Sequence, residues 1–222
     1  MPFESGSTLE VTNSSGKILI SGDRHGDLEV DGGSVSVLSG RVRVAGSSDS
    51  IAVRCPAGVD VIAGSSSGAV ELRGSLGNTR ITTASGDIKV GSVTRLDART
   101  ASGAIGVEDC AGECRARSDS GSIEVARAGA VDLATASGDV DVAAVGQAAI
   151  RTASGDVTLG LSGAGDVTIE AHSGSIKVEV PRGSRPATRL EASGSVQCDC
   201  EVGSDFRLEL RAGSGDITVT ER

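Results

Sequence analysis

Short runs of alternating hydrophobic and polar residues recur along most of the chain. One run follows a Ser-Gly pair, as in SGDIKV at 85–90, SGDVDV at 137–142 and SGDITV at 214–219. A second run precedes the pair by a few residues. Alternation with a period of two is typical of a strand with one buried face, so each repeat predicts two short strands separated by two turns. We expect the glycine to supply a positive φ in the first turn.

The Ser-Gly signature repeats about every 18 residues, at intervals of about 16 to 21. Its glycine position is occupied by Gly16, Gly33, Asp49 (the weakest copy), Gly68, Gly86, Gly103, Gly121, Gly138, Gly155, Gly174, Gly194 and Gly215. Two short strands cannot bury an apolar face alone, whereas stacked repeats bury a continuous one. The sequence therefore predicts an all-β, single-domain parallel β-solenoid of about 12 coils, with two short strands per coil. Right-handed winding is expected because parallel crossovers favour that hand.

The predicted domain covers residues 1–222, with 1–8 as an N-terminal cap segment and 9–222 as stacked coils. Composition agrees with a thin core of small aliphatic residues, since the chain has 32 Gly, two Phe and neither Trp nor Tyr. A net charge of −9 and the lack of aromatic stacking platforms argue against a nucleic-acid partner. No apolar run is long enough for membrane insertion, and residues 1–8 have neither the basic start nor the apolar stretch expected of a secretion signal. We expect a cytoplasmic protein, or a surface or envelope protein if a signal or anchor was removed.

The recurring Ala-Ser-Gly-Asp-Ile/Val-x-Val segment resembles the bacterial toastrack-type putative adhesin family, and the resemblance covers essentially the whole chain. It implies a β-solenoid of unknown function, found in envelope-stress and surface proteins, with no established catalytic residues. Many members carry a membrane anchor, which is not seen in this sequence. The resemblance therefore implies a surface adhesin or envelope-stress component as one alternative function.

The five cysteines fall on inward-facing slots of the repeat. They are Cys55, Cys110, Cys114, Cys198 and Cys200. The two closely spaced pairs lie about five coils apart, roughly 24 Å, which is too far for one zinc ion. We predict reduced core residues, and a local disulfide between Cys110 and Cys114 or a metal site remains an alternative. An odd number of buried thiols fits a reducing compartment.

Aspartates follow the Ser-Gly pair in several copies, and Asp139 and Asp156 do so in adjacent coils. Capping of turn amides is the favoured role, and a calcium site at these two residues is the alternative. Glu124 and Asp141 are expected to stack as outward carboxylates. Without an aromatic platform or a cleft, a carbohydrate-active enzyme is the weakest alternative. We predict a non-enzymatic chain with no catalytic residue, cofactor or metal.

Positive charges and the chain end supply the candidate contact residues. Arg99, Arg117 and Arg151 form a predicted basic stripe that could dock an acidic partner. Arg182 and Arg185 lie in the longest turn, and Val219 lies on a final coil that nothing is predicted to cover. Because an uncovered solenoid end can pair with further strands, we predict a rigid scaffold that binds a protein partner or self-associates through its terminal coils.

Overall fold

Every regular element of the described residues is a β-strand. The computed structural model describes residues 7–23, 27–38 and 40–222. The strands are β1 Thr8–Asn13, β2 Ile18–Asp23, β3 Glu29–Asp31, β4 Ser34–Leu38, β5 Arg41–Ala45, β6 Ile51–Pro56, β7 Asp60–Ser65, β8 Val70–Thr83, β9 Ile88–Thr100, β10 Ile105–Ser118, β11 Ile123–Ser137, β12 Val140–Ser154, β13 Val157–Leu161, β14 Val167–Ser173, β15 Ile176–Val180, β16 Ala187–Ala192, β17 Val196–Cys198, β18 Arg207–Ser214 and β19 Ile217–Glu221. The predicted all-β class is confirmed.

The chain divides into two compact units, Met1–Ala111 and Gly112–Arg222. Within each unit, strands one repeat apart pair in parallel, so that equivalent residues of successive coils lie side by side. In the second unit Ile123 lies beside Val140, and Leu133 beside Ile150. All four side chains are at most 1% exposed. This stacking is that of a β-solenoid, as predicted, whereas a single domain spanning both units stays a prediction.

The central coils contain one long strand where the sequence predicted two short ones. Strands β11 and β12 each have 15 residues. At the expected second turn the ladder simply continues, with Ala128 beside Val145 and Ala130 beside Gln147. The alternating pattern shifts its phase at this corner, which is why the sequence suggested a break. The backbone stays paired with the neighbouring strand on both sides of this position.

The first coil of the chain lies inside the first unit, not at its edge. Strand β1 pairs in parallel with both β5 and β7, and β2 with both β6 and β8. The coil formed by β5 and β6 is therefore the outer one. Strand β4 covers β5, and β3 covers β6, both in antiparallel pairing. The prediction of a parallel copy at Gly33 is thus wrong. Residues 1–6 of the predicted cap segment 1–8 lie outside the described residues, and Thr8 already begins β1.

The last coil of the chain is enclosed in the same manner. Strand β18 pairs with β14 on one side and β16 on the other, and β19 pairs with β15 and β17. Val219 consequently lies between Val178 and Cys198 and is 0% exposed. The prediction of an uncovered end at Val219 is wrong, because an earlier segment, β16 and β17, forms the outer coil.

Glycine is required in the Ser-Gly turns mainly by close approach of the coils. A Cβ on Gly86 would collide with the carbonyl oxygen of Gly68, and one on Gly138 with that of Gly121. Positive φ occurs in this turn at Gly155, Gly174 and Gly215, but not at Gly86 or Gly138. The expectation of a positive φ thus holds for part of the column only.

A column of small polar residues lies three positions before these glycines and is almost fully buried. Its members are Asn13, Ser65, Thr83, Thr100, Ser118, Thr135 and Thr152. The Oγ of Ser118 accepts a hydrogen bond from the N–H of Gly121 at 2.8 Å, and the hydroxyl of Thr135 donates to the carbonyl of the same glycine at 3.2 Å. These hydroxyls satisfy backbone groups of a turn that the stacked coils hide from water.

Candidate interaction surface

The outer coil of the second unit exposes apolar residues and one strand edge. Strands β16 and β17 have parallel partners only in β18 and β19 among the described residues. Leu190 lies beside Leu210 on the inward face, yet it is only half-buried because no further coil covers it. Val196 is 47% exposed and Val202 69%. We define the outer edge as β16 and β17, residues 187–198.

Two charged residues of β16 and two of the neighbouring β18 form an alternating group on the outward face. Arg189 lies beside Glu209, and Glu191 beside Arg211, in the register of β16 and β18. The Arg189 Nε lies 3.0 Å from the Glu191 Oε1, and Nη2 of Arg211 lies 3.2 Å from Glu209 Oε1. A further contact of 3.5 Å joins Arg211 to Glu191. These four side chains have no net charge, and positive and negative charges alternate both along each strand and between the two strands.

The longest turn, predicted to be a contact loop, packs onto the segment after the outer edge. Both the N–H and the Oγ of Ser184 donate to the carbonyl of Pro181, and Gly183 has a φ of 75°. The N–H of Arg185 donates to Asp205 Oδ2 at 2.9 Å. The side chains of Arg182 and Arg185 are exposed. The loop is therefore anchored at its base while its guanidinium groups face solvent.

The predicted basic stripe is partly neutralised. Arg99 lies 3.4 Å from Asp97, and Arg151 lies 3.3 Å from Glu170. Within the described part of the second unit, Arg117 forms no ion pair. Arg99 belongs to the first unit and the other two to the second. Docking of an acidic partner at these arginines stays a prediction.

The turn aspartates accept backbone hydrogen bonds from the neighbouring coil. Asp139 accepts from the N–H of Asp156 at 2.9 Å, and Asp156 from Ser175 at 2.8 Å. Asp216 accepts from both the N–H and the hydroxyl of Ser195, and these bonds lower the pKa of its carboxyl. The favoured capping role fits this geometry. Among the described residues no group of three or more His, Cys, Asp or Glu side chains could hold a metal ion, and calcium at Asp139 and Asp156 stays a prediction.

All five cysteines are free thiols, but they have different surroundings. Cys55, Cys110 and Cys114 are buried, whereas Cys198 and Cys200 are half-buried. Burial, with a smaller contribution from the charge of Asp23, raises the pKa of Cys55 to about 11. The Sγ atoms of Cys198 and Cys200 lie 2.9 Å apart. Burial and the neighbouring Cys198 raise the pKa of Cys200 to about 12.

The carboxylate pair considered for an enzyme occupies an open surface. Glu124 and Asp141 are register neighbours on β11 and β12, as expected, and both side chains are exposed. Catalysis by such a pair needs a site from which water is excluded, and these exposed carboxylates do not lie in one. Their geometry favours a solvated face.

Sequence reasoning missed the outer edge, because Arg189, Glu191, Leu190 and Val196 look like any other repeat residues. The available signal was the length of the last repeats, whose glycines at 174, 194 and 215 are more widely spaced than those at 121, 138 and 155. Longer connections allow a coil to be skipped and filled later by the chain end.

The sequence profile of the Toastrack family (DUF4097) matches this chain twice, over residues 2–146 and 45–222. The chain belongs to the Toastrack family. No curated protein matches the sequence of this Toastrack chain. A crystal structure of a protein from Clostridium sporogenes ATCC 15579, described as a putative cell adhesion protein, aligns over 99% of this chain and 94% of that one, with 9% identity and a TM-score of 0.28. No helix in the described residues could span a membrane.

Proposed function

We propose that this Toastrack chain is a non-enzymatic interaction module that self-associates through its outer edge. The observation that supports the proposal most strongly is the charge pattern on β16 and β18. Strand β16 offers unpaired backbone groups to a further strand, and such edges recruit one unless charge or a covering segment prevents it. A second copy of β16 can form hydrogen bonds with these backbone groups and place opposite charges next to each other.

The two-fold pairing has a defined register. If two copies of β16 run antiparallel and cross at Leu190, Arg189 of each faces Glu191 of the other. The outward column then reads Glu209, Arg189, Glu191, Arg211 across the two copies, with alternating signs throughout. On the inward face Leu190 meets its own copy, which completes the burial that the outer coil lacks. A single substitution at Arg189 or Glu191 therefore changes two contacts between the copies, because the two-fold axis repeats the pair.

Strand β4, at the outer edge of the first unit, offers no comparable pattern. It pairs with β5 alone among the described strands, and its residues from Ser34 to Val37 are serine and valine. Val35 and Val37 are 45% and 51% exposed. Without charges, nothing fixes the register of an added strand, so β4 provides the matched control.

Sedimentation equilibrium over a wide concentration range tests the proposal, with detection by refractive index because Trp and Tyr are lacking. We expect a reversible dimer for the unmodified chain. Leu190→Lys should weaken it at least about tenfold, because two like charges meet at the crossing point. Val35→Lys should leave it unchanged. A monomer at all concentrations, or an equal effect of both substitutions, contradicts the proposal.

A charge exchange tests the register itself. Arg189→Glu places two carboxylates opposite each other at both contacts, and should weaken the dimer. Adding Glu191→Arg restores opposite charges between the copies, although it leaves like charges against β18 within each copy. We expect the double variant to dimerise more tightly than the single variant. The opposite ranking contradicts the antiparallel register.

A cytoplasmic location is proposed together with this function, because free thiols persist in reducing compartments. Cell fractionation with an antibody against the native chain tests it. Recovery with the envelope or surface fraction would instead favour the adhesin alternative.

A further inference from the structure

The thiols of Cys198 and Cys200 form a close pair in an accessible part of the second unit. Strand β17 ends at Cys198, and the chain bends at Cys200, so that side chains two residues apart face each other. Their sulfurs lie 2.9 Å apart. A disulfide bond measures about 2.05 Å, so closure requires an approach of only about 0.9 Å. Zinc–sulfur bonds of about 2.3 Å hold two thiolate ligands farther apart than the present separation, so the geometry favours disulfide formation over metal binding.

The backbone on one side of the pair is fixed and on the other side it is irregular. Cys198 lies in register with Val219, and the N–H of Asp199 donates to the carbonyl of Val219 at 2.9 Å. Gln197 Nε2 donates to Asp199 Oδ2 at 3.0 Å. Cys200 lies beyond the end of β17 and belongs to none of the described strands. The second thiol can therefore move toward the first while β17 keeps its place.

We propose that Cys198 and Cys200 are a dithiol redox site that a small-molecule disulfide, such as glutathione disulfide, converts to an internal disulfide. A thiolate of the pair attacks one sulfur of the external disulfide, forming a mixed disulfide and releasing one glutathione thiolate, which takes up a proton. The second thiol loses its proton and attacks the protein sulfur of the mixed disulfide, releasing the second glutathione. Two protein thiols are oxidised by two electrons, and one glutathione disulfide is reduced to two thiols.

The sequence supplies an internal comparison. Cleavage after Arg189 and Arg207 releases a peptide that contains Cys198 and Cys200 as its cysteines, and cleavage after Arg99 and Arg115 releases one that contains Cys110 and Cys114. The second pair is at most 1% exposed. Burial should protect it from the same reagent.

The reduced full chain is incubated with increasing glutathione disulfide, and the remaining thiols are alkylated under denaturing conditions. The protein is then digested with trypsin, and the peptide masses are measured by mass spectrometry. We expect peptide 190–207 to lose two hydrogens and both alkylation sites, while peptide 100–115 stays fully alkylated. Cys200→Ser should instead carry a stable glutathione adduct on Cys198, since no second thiol resolves it. Persistent adducts on the unmodified chain, equal oxidation of both peptides, or two alkylated thiols in peptide 190–207 would overturn the proposal. The readouts follow thiols alone, and oxidation in dilute protein, where the proposed dimer is dissociated, separates this test from that of dimer formation.

Discussion

The buried hydroxyl column shows how single atoms decide the stability of a stacked coil. Thr135 and Thr152 are register neighbours on β11 and β12, and both are almost fully buried. The hydroxyl of Thr135 donates to the carbonyl of Gly121 at 3.2 Å, whereas the hydroxyl of Thr152 has no partner. A buried polar group is favourable only when its hydrogen bond is made, so these two positions should respond oppositely to the loss of the hydroxyl.

Thr135→Val should lower the free energy of unfolding by about 0.5 to 1.5 kcal/mol, since it removes a buried hydrogen bond at nearly constant shape. Thr152→Val should leave the stability unchanged or raise it by about 1 kcal/mol, because it removes an unsatisfied hydroxyl. Urea unfolding followed by far-ultraviolet circular dichroism measures both. Equal losses in the two variants would show that packing, and not hydrogen bonding, governs this column.

The raised pKa of the Cys55 thiol predicts that the folded protein loses stability at alkaline pH. Burial raises its pKa from 9.0 to about 11, so the folded state retains the thiol proton over a range where the unfolded chain has lost it. This contribution to stability is fully present below pH 9 and is lost as the pH rises through 11, by up to about 3 kcal/mol. Unfolding of the unmodified chain and Cys55→Ala should be compared at pH 8 and 11. The decline should be smaller in the variant, and identical declines would contradict the assignment.

At the scale of strands and turns, the glycine column controls the spacing of coils. A Cβ at Gly138 meets the carbonyl of Gly121, so a side chain forces two backbones of the stack apart. Gly163 also lies in a turn of the second unit, but a Cβ there meets nothing within 4 Å. Neither glycine has a positive φ, so the two positions differ in space and not in backbone conformation.

Gly138→Ala should therefore lower the free energy of unfolding by more than about 2 kcal/mol, a size typical of overpacked sites, whereas Gly163→Ala should change it by less than about 1 kcal/mol. Thermal unfolding followed by circular dichroism gives both values. A mild effect at Gly138 would mean that neighbouring coils can separate without losing their hydrogen bonds.

The repeat predicted the buried face of the strands correctly, because equivalent positions of successive copies all point inward. The alternation at Ile123, Val125 and Leu133 identified the buried face, because a period of two admits a single inward set. It did not predict that β11 continues through the corner at Ala128, since side-chain periodicity carries no information on whether the backbone ladder is interrupted there.

At the scale of the whole chain, the order of coils in space differs from their order in sequence at the start and at the end. The repeat signature differs little between most copies, so it specifies that coils stack but not which copy is the neighbour. Strand β18 lies between β14 and β16, where its inward Leu210 has Ile169 on one side and Leu190 on the other. For this reason Val219 was wrongly predicted as an exposed end, and the outer edge was not predicted.

Peptide-resolved hydrogen exchange at low and high protein concentration tests this account most directly. Strands β18 and β19 are paired on both sides, and should exchange slowly at both concentrations. The β16 amides that point away from β18 should exchange rapidly in dilute protein and at least about tenfold more slowly in concentrated protein, as the second copy pairs with the edge. Exchange of β16 that is independent of concentration, or of β18 as fast as β16, would contradict the account.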